Sequence, residues 1–308
     1  MHVTRLVSVL CLLSAAACTG LENGALEPSK SVGPSNSATR VGDFDGVPDI
    51  VVDEHALATS WVVYDHTIKE NACSLAEEHL VSGQYRLLRF TVGTPNVGTA
   101  DLFIGDPNRH WDPNGDGNPN DSDGLFENNS CHGHFHYRNY ARYELIATDG
   151  TVTKSRKAGF CMLDIKPFSP AHKTWGYRSC GRAPNLQFGL PGLPGYQGIS
   201  VGWSDEYDKW LDGQFFVLDD PNAPPIKPGN YILRVTVNPA FPFVAGEPCP
   251  VLDPNGFCHG FRESNYGNNV GQISITIPAH PGKTGYGPGA DKNAPSDELI
   301  DDESRGSI

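Results

Sequence analysis

The sequence predicts an all-β protein, a β-sandwich core wrapped in long Pro- and Gly-rich loops. Three observations predict it. Short stretches alternate apolar and polar residues with period two, as half-buried strands do. Glycine and proline, 34 and 25 of 308 residues, interrupt nearly every such stretch. No stretch sustains the apolar period of a long helix. The length fits one large domain or two small ones.

In chain order, residues 1–17 read as an export signal. Arg5 precedes an apolar run from Leu6 to Ala17 that is too short to span a bilayer. Ala15-Ala16-Ala17 has the A-x-A form of a cleavage site, and Cys18 follows it as in bacterial lipoprotein signals. Cys18 is therefore either lipidated, which would attach the chain to a membrane, or spare. Residues 18–45, rich in Ser, Gly, Asn and Thr, read as a flexible linker. The folded domain is expected over 46–278, with a disordered acidic tail over 279–308.

Within the domain, structure begins near 47–52, and 60–64 reads as a short strand. In 87–92, Leu88, Phe90 and Val92 alternate with Arg89 and Thr91, which predicts one buried face. Residues 94–98 turn the chain. The acidic stretch 112–124 places oxygen side chains at Asp112, Asn114 and Asp116 before Gly117, like the opening of a calcium loop. The closing Glu of such loops is out of register, so a solvated loop is the simpler reading. Ala141, Tyr143 and Leu145 alternate, and 148–150 turn. Residues 166–198 read as loop and 213–218 as a buried strand. After a turn at 228–230, Tyr231, Leu233, Val235 and Val237 alternate, and Ile273, Ile275 and Ile277 repeat the pattern.

The net charge of -13 argues against wholesale nucleic-acid binding, because phosphates would be repelled. An acidic surface suits cationic partners as well as simple solubility. Of eight cysteines, Cys11 leaves with the signal and Cys18 is accounted for. Cys73, Cys131, Cys161, Cys180, Cys249 and Cys258 remain, an even set that predicts disulfides in an exported chain. Spacing leaves the pairing open, and no C-x-x-C motif suggests a thiolate metal site.

The chemistry centres on Cys131-His132-Gly133-His134-Phe135-His136. Histidines at i, i+2 and i+4 on an extended strand share one face. Three neutral imidazoles suit copper(II), zinc or nickel. A straight strand would hold the outer two roughly 13 Å apart, so the chain must twist or curl to bring all three to one ion. A solvent-facing polar stripe is the bland alternative.

Four further blocks follow: Arg156-Lys157-Ala158-Gly159-Phe160-Cys161, Gly202-Trp203-Ser204-Asp205-Glu206-Tyr207, the run 228–239 (PGNYILRVTVNP), and Glu263-Ser264-Asn265-Tyr266-Gly267-Asn268-Asn269. In this order the series resembles the catalytic domain of the lysyl oxidase family, over nearly the whole span from Asp49 to Ile277. The resemblance implies copper held by His132, His134 and His136. It implies a lysine tyrosylquinone cofactor made from Lys157 and Tyr207, with Lys154 the nearest competing lysine. An oxidisable phenol beside copper and a deprotonated amine are what such a cross-link needs. The finished cofactor is an electron sink for oxidising amines, with Asp205 or Asp208 as the base. The implied reaction converts primary amines or peptidyl lysine to aldehyde, with oxygen consumed and ammonia and hydrogen peroxide released.

The resemblance further implies a structural calcium at Asp49, the Ile50 carbonyl, Glu263, Asn265, Asn268 and Asn269. Asn265 stands where the family usually has Asp, which weakens the site. Cys73–Cys131 and Cys161–Cys180 are the implied disulfides, which leaves Cys249–Cys258 to staple a short loop. Two other readings of the chain are an exported metal-binding β-sandwich without turnover and a hydrolase built on a three-histidine zinc site.

Overall fold

Period-two burial decides most of the elements. The computed structural model describes residues 46–290, apart from 115, 117, 118, 158 and 185–190. The leader, the linker and residues 291–308 lie outside the described residues. The first strands are β1 (Trp61–Ile68), β2 (Gly83–Phe90), β3 (Val92–Pro95), β4 (Leu102–Gly105), β5 (Phe126–Asn129), β6 (His134–Arg138), β7 (Ala141–Ala147), β8 (Val152–Lys154) and β9 (Gly159–Phe160). Then come β10 (Lys166–Pro167), β11 (Gln197–Ile199), β12 (Trp203–Tyr207), β13 (Phe215–Val217), β14 (Gly229–Val237), β15 (Phe241–Pro242), β16 (Val251–Leu252), β17 (Phe257–His259) and β18 (Val270–Ile277). Three short helices join them: α1 (Glu54–Thr59), α2 (Ser74–Glu77) and α3 (Asn108–Trp111).

The protein is all-β, but the expected sandwich is divided among small antiparallel sheets. The widest has the order β18-β14-β7-β8. The others are β1-β2-β13, β10-β12-β3, β5-β6-β9, β15-β17-β16 and the pair β11-β4. Prolines and glycines cut the strands short, because proline cannot donate to a ladder. The two largest faces meet through aromatic side chains. Phe90 on β2 meets Tyr143 on β7 edge-on at 5.1 Å and stacks on Phe216 of β13 at 5.6 Å. The row continues from Tyr143 to Phe160 and from Phe160 to Tyr207. Such pairs add about 0.5–1.5 kcal/mol each beyond area burial.

The alternation read at 141–145, 231–237 and 273–277 is the alternation observed. Residues 87–92 differ. Arg89 and Thr91 are buried as fully as their apolar neighbours, because β2 is the central strand between β1 and β13. Arg89 donates to the Lys209 and Leu211 carbonyls and lies over the Phe215 ring. The stretch breaks at Thr91, where one strand ends and the next begins.

Residues 47–52 form only an isolated bridge, Ile50 to Asn96, before α1, which Asp53 caps by accepting the Ala56 N–H. The acidic loop binds its own backbone: the Asp116 N–H donates to the Asp112 and Asn114 side chains. Gly117 lies outside the described residues. The chain beyond 278, read as tail, runs along β1 as far as 290, where Tyr286 bridges Val63 and Gly289 donates to the Trp61 carbonyl. The disulfides Cys73–Cys131, Cys161–Cys180 and Cys249–Cys258 are formed. Among the described residues no helix is long and apolar enough to cross a membrane.

Candidate active site

The histidine stretch is not one strand. Only His134 and His136 lie on β6, where they share a face while Phe135 and Tyr137 turn into the aromatic core. His132 precedes the strand in a turn that passes through Gly133 at φ 70°, a conformation glycine adopts without a Cβ penalty. Asn129 shapes this turn. Its side-chain oxygen accepts from the Cys131 and His132 N–H groups, and its carbonyl accepts from Gly133. The curl brings the His132 and His136 ring centres to 5.3 Å, far inside the extended-strand separation. The other two separations are 5.7 Å and 5.0 Å.

Nε2 of His134 lies 3.2 Å from Nε2 of His136, and both residues are buried. Two nitrogens at that spacing can each reach one ion at about 2.0–2.1 Å. The set is made of imidazoles, which suit copper or zinc. The donor set suits a metal: His134 and His136 present nitrogens at ligating spacing, and the His132 ring packs against both while its Nε2 faces Glu77. Cys73, His132 and Asp212 also converge within 4.8 Å, but the Cys73 sulfur is spent in a disulfide and offers no thiolate.

A neighbouring helix and strand set carboxylates against ring nitrogens. Register on β5 sets Glu127 opposite His136, and Nδ1 of His136 faces it at 3.7 Å. The Cys73–Cys131 disulfide ties α2 to the turn, and Glu77 of that helix reaches Nε2 of His132 at 2.9 Å. Burial alone would raise the Glu77 carboxyl, but His132 and Asn129 bond it and hold it below the usual range. The neighbouring His136 ring does the same for Glu127, against burial. Carboxylates of this kind fix the tautomer and orientation of ligating histidines.

Lys157 and Tyr207 come together. The Lys157 Nζ lies 5.4 Å from the Tyr207 ring centre and 5.4 Å from that of Phe160. β9 places them, since it continues the β6 sheet while Phe160 meets Tyr207 edge-on at 5.2 Å. The Tyr207 hydroxyl accepts from the Cys161 N–H and donates to the Cys161 carbonyl. Lys154 instead ends β8 at an exposed position. Glu77, Glu127, His136, Arg156, Lys157 and Gly159 line a single cleft of about 220 Å³, so imidazole and amine open on the same space. Gly159 is required there: a Cβ on it would lie 2.3 Å from Nδ1 of His136.

The two aspartates proposed as base differ. Asp205 is buried, and one carboxylate oxygen lacks a hydrogen-bond partner. Burial pushes its carboxyl well above the usual range, against a hydrogen bond from the Leu163 backbone. Asp208 is engaged in a turn, accepting the Trp210 N–H. Glu77, Glu127, Glu78 and Gly159 were not singled out in the sequence. For Glu127 the available signal was register, since pairing Phe126 with Tyr137 sets it across from His136.

Five of the six residues expected to bind calcium, Asp49, Ile50, Glu263, Asn268 and Asn269, meet in a second cluster at the end of the widest sheet. Asn268 donates to Asp49, and Asn269 to Glu263 and to the Val237 carbonyl. Buried oxygens of Glu263, Asn268 and Asn269 lack hydrogen-bond partners. Burial pushes the Glu263 carboxyl up to about 8, with Asp49 adding repulsion. The Ile50 contact to Glu263 comes from its N–H. Asn265 is exposed, and its oxygen caps the Tyr266–Asn268 turn through the Gly267 N–H.

The profile of a protein family described as lysyl oxidase matches residues 48–247. The chain is 29% identical over 248 residues to Protein-lysine 6-oxidase of Bos taurus, an alignment spanning 76% of this chain and 47% of that protein. The protein of that name from Sus scrofa is 29% identical over 248 residues, spanning 76% of this chain and 78% of its own length. Lysyl oxidase homolog 1 of Homo sapiens is 28% identical over 235 residues, spanning 72% of this chain and 34% of that protein. The chain thus spans about half the length of the first of these relatives.

Proposed function

The chain belongs to the lysyl oxidase family, and from that premise we propose that it is an exported copper amine oxidase. It would oxidise primary amines or peptidyl lysine to aldehydes, using oxygen and releasing ammonia and hydrogen peroxide. The observation that carries the reading is the 5.4 Å approach of the Lys157 amine to the Tyr207 ring beside the three-histidine cluster. His132, His134 and His136 would hold the copper. Copper and oxygen would supply the oxidation that joins Lys157 to Tyr207, and the resulting lysine tyrosylquinone would supply the electron sink for amine oxidation.

The chain's own residues do the rest. Glu77 and Glu127 orient His132 and His136 through their ring nitrogens. The backbone of Cys161 fixes the Tyr207 phenol from both sides of its hydroxyl. Asp205, desolvated and adjacent to Tyr207, is better suited than Asp208 to take a proton from a bound substrate. A cleft of about 220 Å³ bearing Glu77 and Glu127 accommodates a slender ammonium-bearing chain such as a lysine side chain. At the sheet end, Asp49, the Ile50 carbonyl, Glu263, Asn265, Asn268 and Asn269 would hold calcium, and the unpartnered oxygens there support that assignment. Export follows from the leader over 1–17 and suits a fold with three disulfides. Lipidation of Cys18 would attach the chain to a membrane.

The test is to load the purified chain with copper in air and digest it. The expected result is one mass-spectrometric species joining the Lys157 and Tyr207 peptides, together with peroxide release on adding a primary amine or a lysine-containing peptide. Separate unmodified peptides would remove the oxidase reading. Hydrolytic activity with zinc and no quinone stain would replace it with a hydrolase.

A further inference from the structure

Glu78 follows Glu77 at the end of α2, yet the two side chains serve different places. Glu77 reaches His132. Glu78 is 2% exposed, and its Oε1 is buried with no hydrogen-bond partner. A carboxylate so placed is costly unless a cation or a proton answers it. The charges around it are few. Lys157 attracts it most, then Arg156, while Glu77 and Asp212 repel it. Arg156 is committed elsewhere, with Nη1 on the Glu78 backbone carbonyl and Nη2 on Asp220 at 2.6 Å.

Gly213 marks the space that the carboxyl and the amine share. A Cβ there would lie 3.5 Å from Glu78 Oε1 and 3.7 Å from Lys157 Nζ, so both border one small space that glycine leaves open. Gly213 also sits at φ 68°, where a side chain would be strained. The backbone carbonyl of Asp212, one residue earlier, accepts from Nζ at 3.4 Å.

We propose that Glu78 is the base that takes the proton from the Lys157 ammonium, freeing the amine to bond to the Tyr207 ring. The inference rests on the cross-linking reading above. In this step one N–H bond of Nζ breaks and one O–H bond forms on Oε1, with no change in oxidation state. The electrons removed in joining the two side chains go to oxygen, as already described. Burial that lifts the Glu78 carboxyl to about 8 lets it keep a proton that a surface carboxylate would return. Asp205 also feels Lys157, but as the weakest of the influences on it, whereas Lys157 is the foremost charge acting on Glu78.

The experiment follows the amount of Lys157–Tyr207 cross-linked peptide with time, in copper-loaded, aerated protein between pH 6 and 10.5. Wild-type cross-linking should rise with a midpoint near 8. Glu78→Gln should slow it at least about tenfold at pH 8, with copper content unchanged, and move the midpoint to higher pH. Were Glu78 only a counter-charge that stabilises the ammonium, Glu78→Gln would cross-link as fast or faster, and the proposal falls. A greater loss in Asp205→Asn assigns the proton to Asp205 instead. If Glu78→Gln does not fold, Glu78→Asp and the wild-type profile decide: a wild-type midpoint near 10 overturns the proposal. A wild type that never cross-links removes the oxidase reading and this inference together.

Discussion

In the widest sheet β14 pairs with β18 from Gly229 to Thr236 and with β7 from Tyr231 to Val237. At the candidate site β6 meets β9 only at Tyr137 and Arg138, and β5 over a short ladder. The first region is regular and apolar on its inner face, with Leu233, Val235 and Val237 fully buried. The second carries buried histidines and carboxylates, and depends on a disulfide, a glycine turn and an asparagine to hold its shape. The contrast separates what makes the chain fold from what makes a site. Ladder hydrogen bonds and burial suffice for the sheet, whereas the site keeps buried polar groups only because distant segments hold them in place.

Three substitutions probe that separation, taken from the largest effect to the smallest. Leu233→Ala should destabilise the fold by about 3 kcal/mol, read as a lower denaturant midpoint, while copper bound per folded chain stays constant. Loss of copper from folded Leu233→Ala protein would mean that the two regions are coupled. Gly159→Ala should do the reverse. Its new methyl displaces the His136 ring, lowering copper affinity on the order of 10- to 100-fold in a chelator competition with little change in the midpoint. Unchanged copper affinity would show that the β6–β9 edge yields more easily than its geometry suggests. Asn265→Asp, at the end of the regular sheet, should tighten calcium binding several-fold by calorimetry and leave folding within about 0.5 kcal/mol. No calcium heat in either form would leave metal binding to the histidine region.

The regular region was legible from the sequence, because a half-buried strand writes its burial into every second residue. That is why β7, β14 and β18 emerged from alternation alone. Arg89 broke the rule, since a polar residue on a central strand can be buried when backbone carbonyls take its guanidinium. The site was legible only in part. The three histidines stood out by spacing, but the turn at Gly133 that brings His132 inward did not. Lys157 and Tyr207 are far apart in sequence, and nothing local to either announces the other; only the family resemblance joined them. Glu77, Glu78 and Glu127 sit in stretches without alternation, so their roles follow from register and from the Cys73–Cys131 link, which are long-range facts.

That link has a consequence for when the protein can become active. Cys131 is the immediate neighbour of His132, and its partner Cys73 carries the helix that presents Glu77. With both thiols free, the loop bearing His132 would lose its tether to that helix. Metal capture would then depend on prior thiol oxidation, and a chain still inside a reducing cytoplasm would be held dormant whatever copper it met. On the proposed function, maturation would become an ordered sequence with the sulfur bridge first, and the oxidase centre would stay silent until the thiols are oxidised.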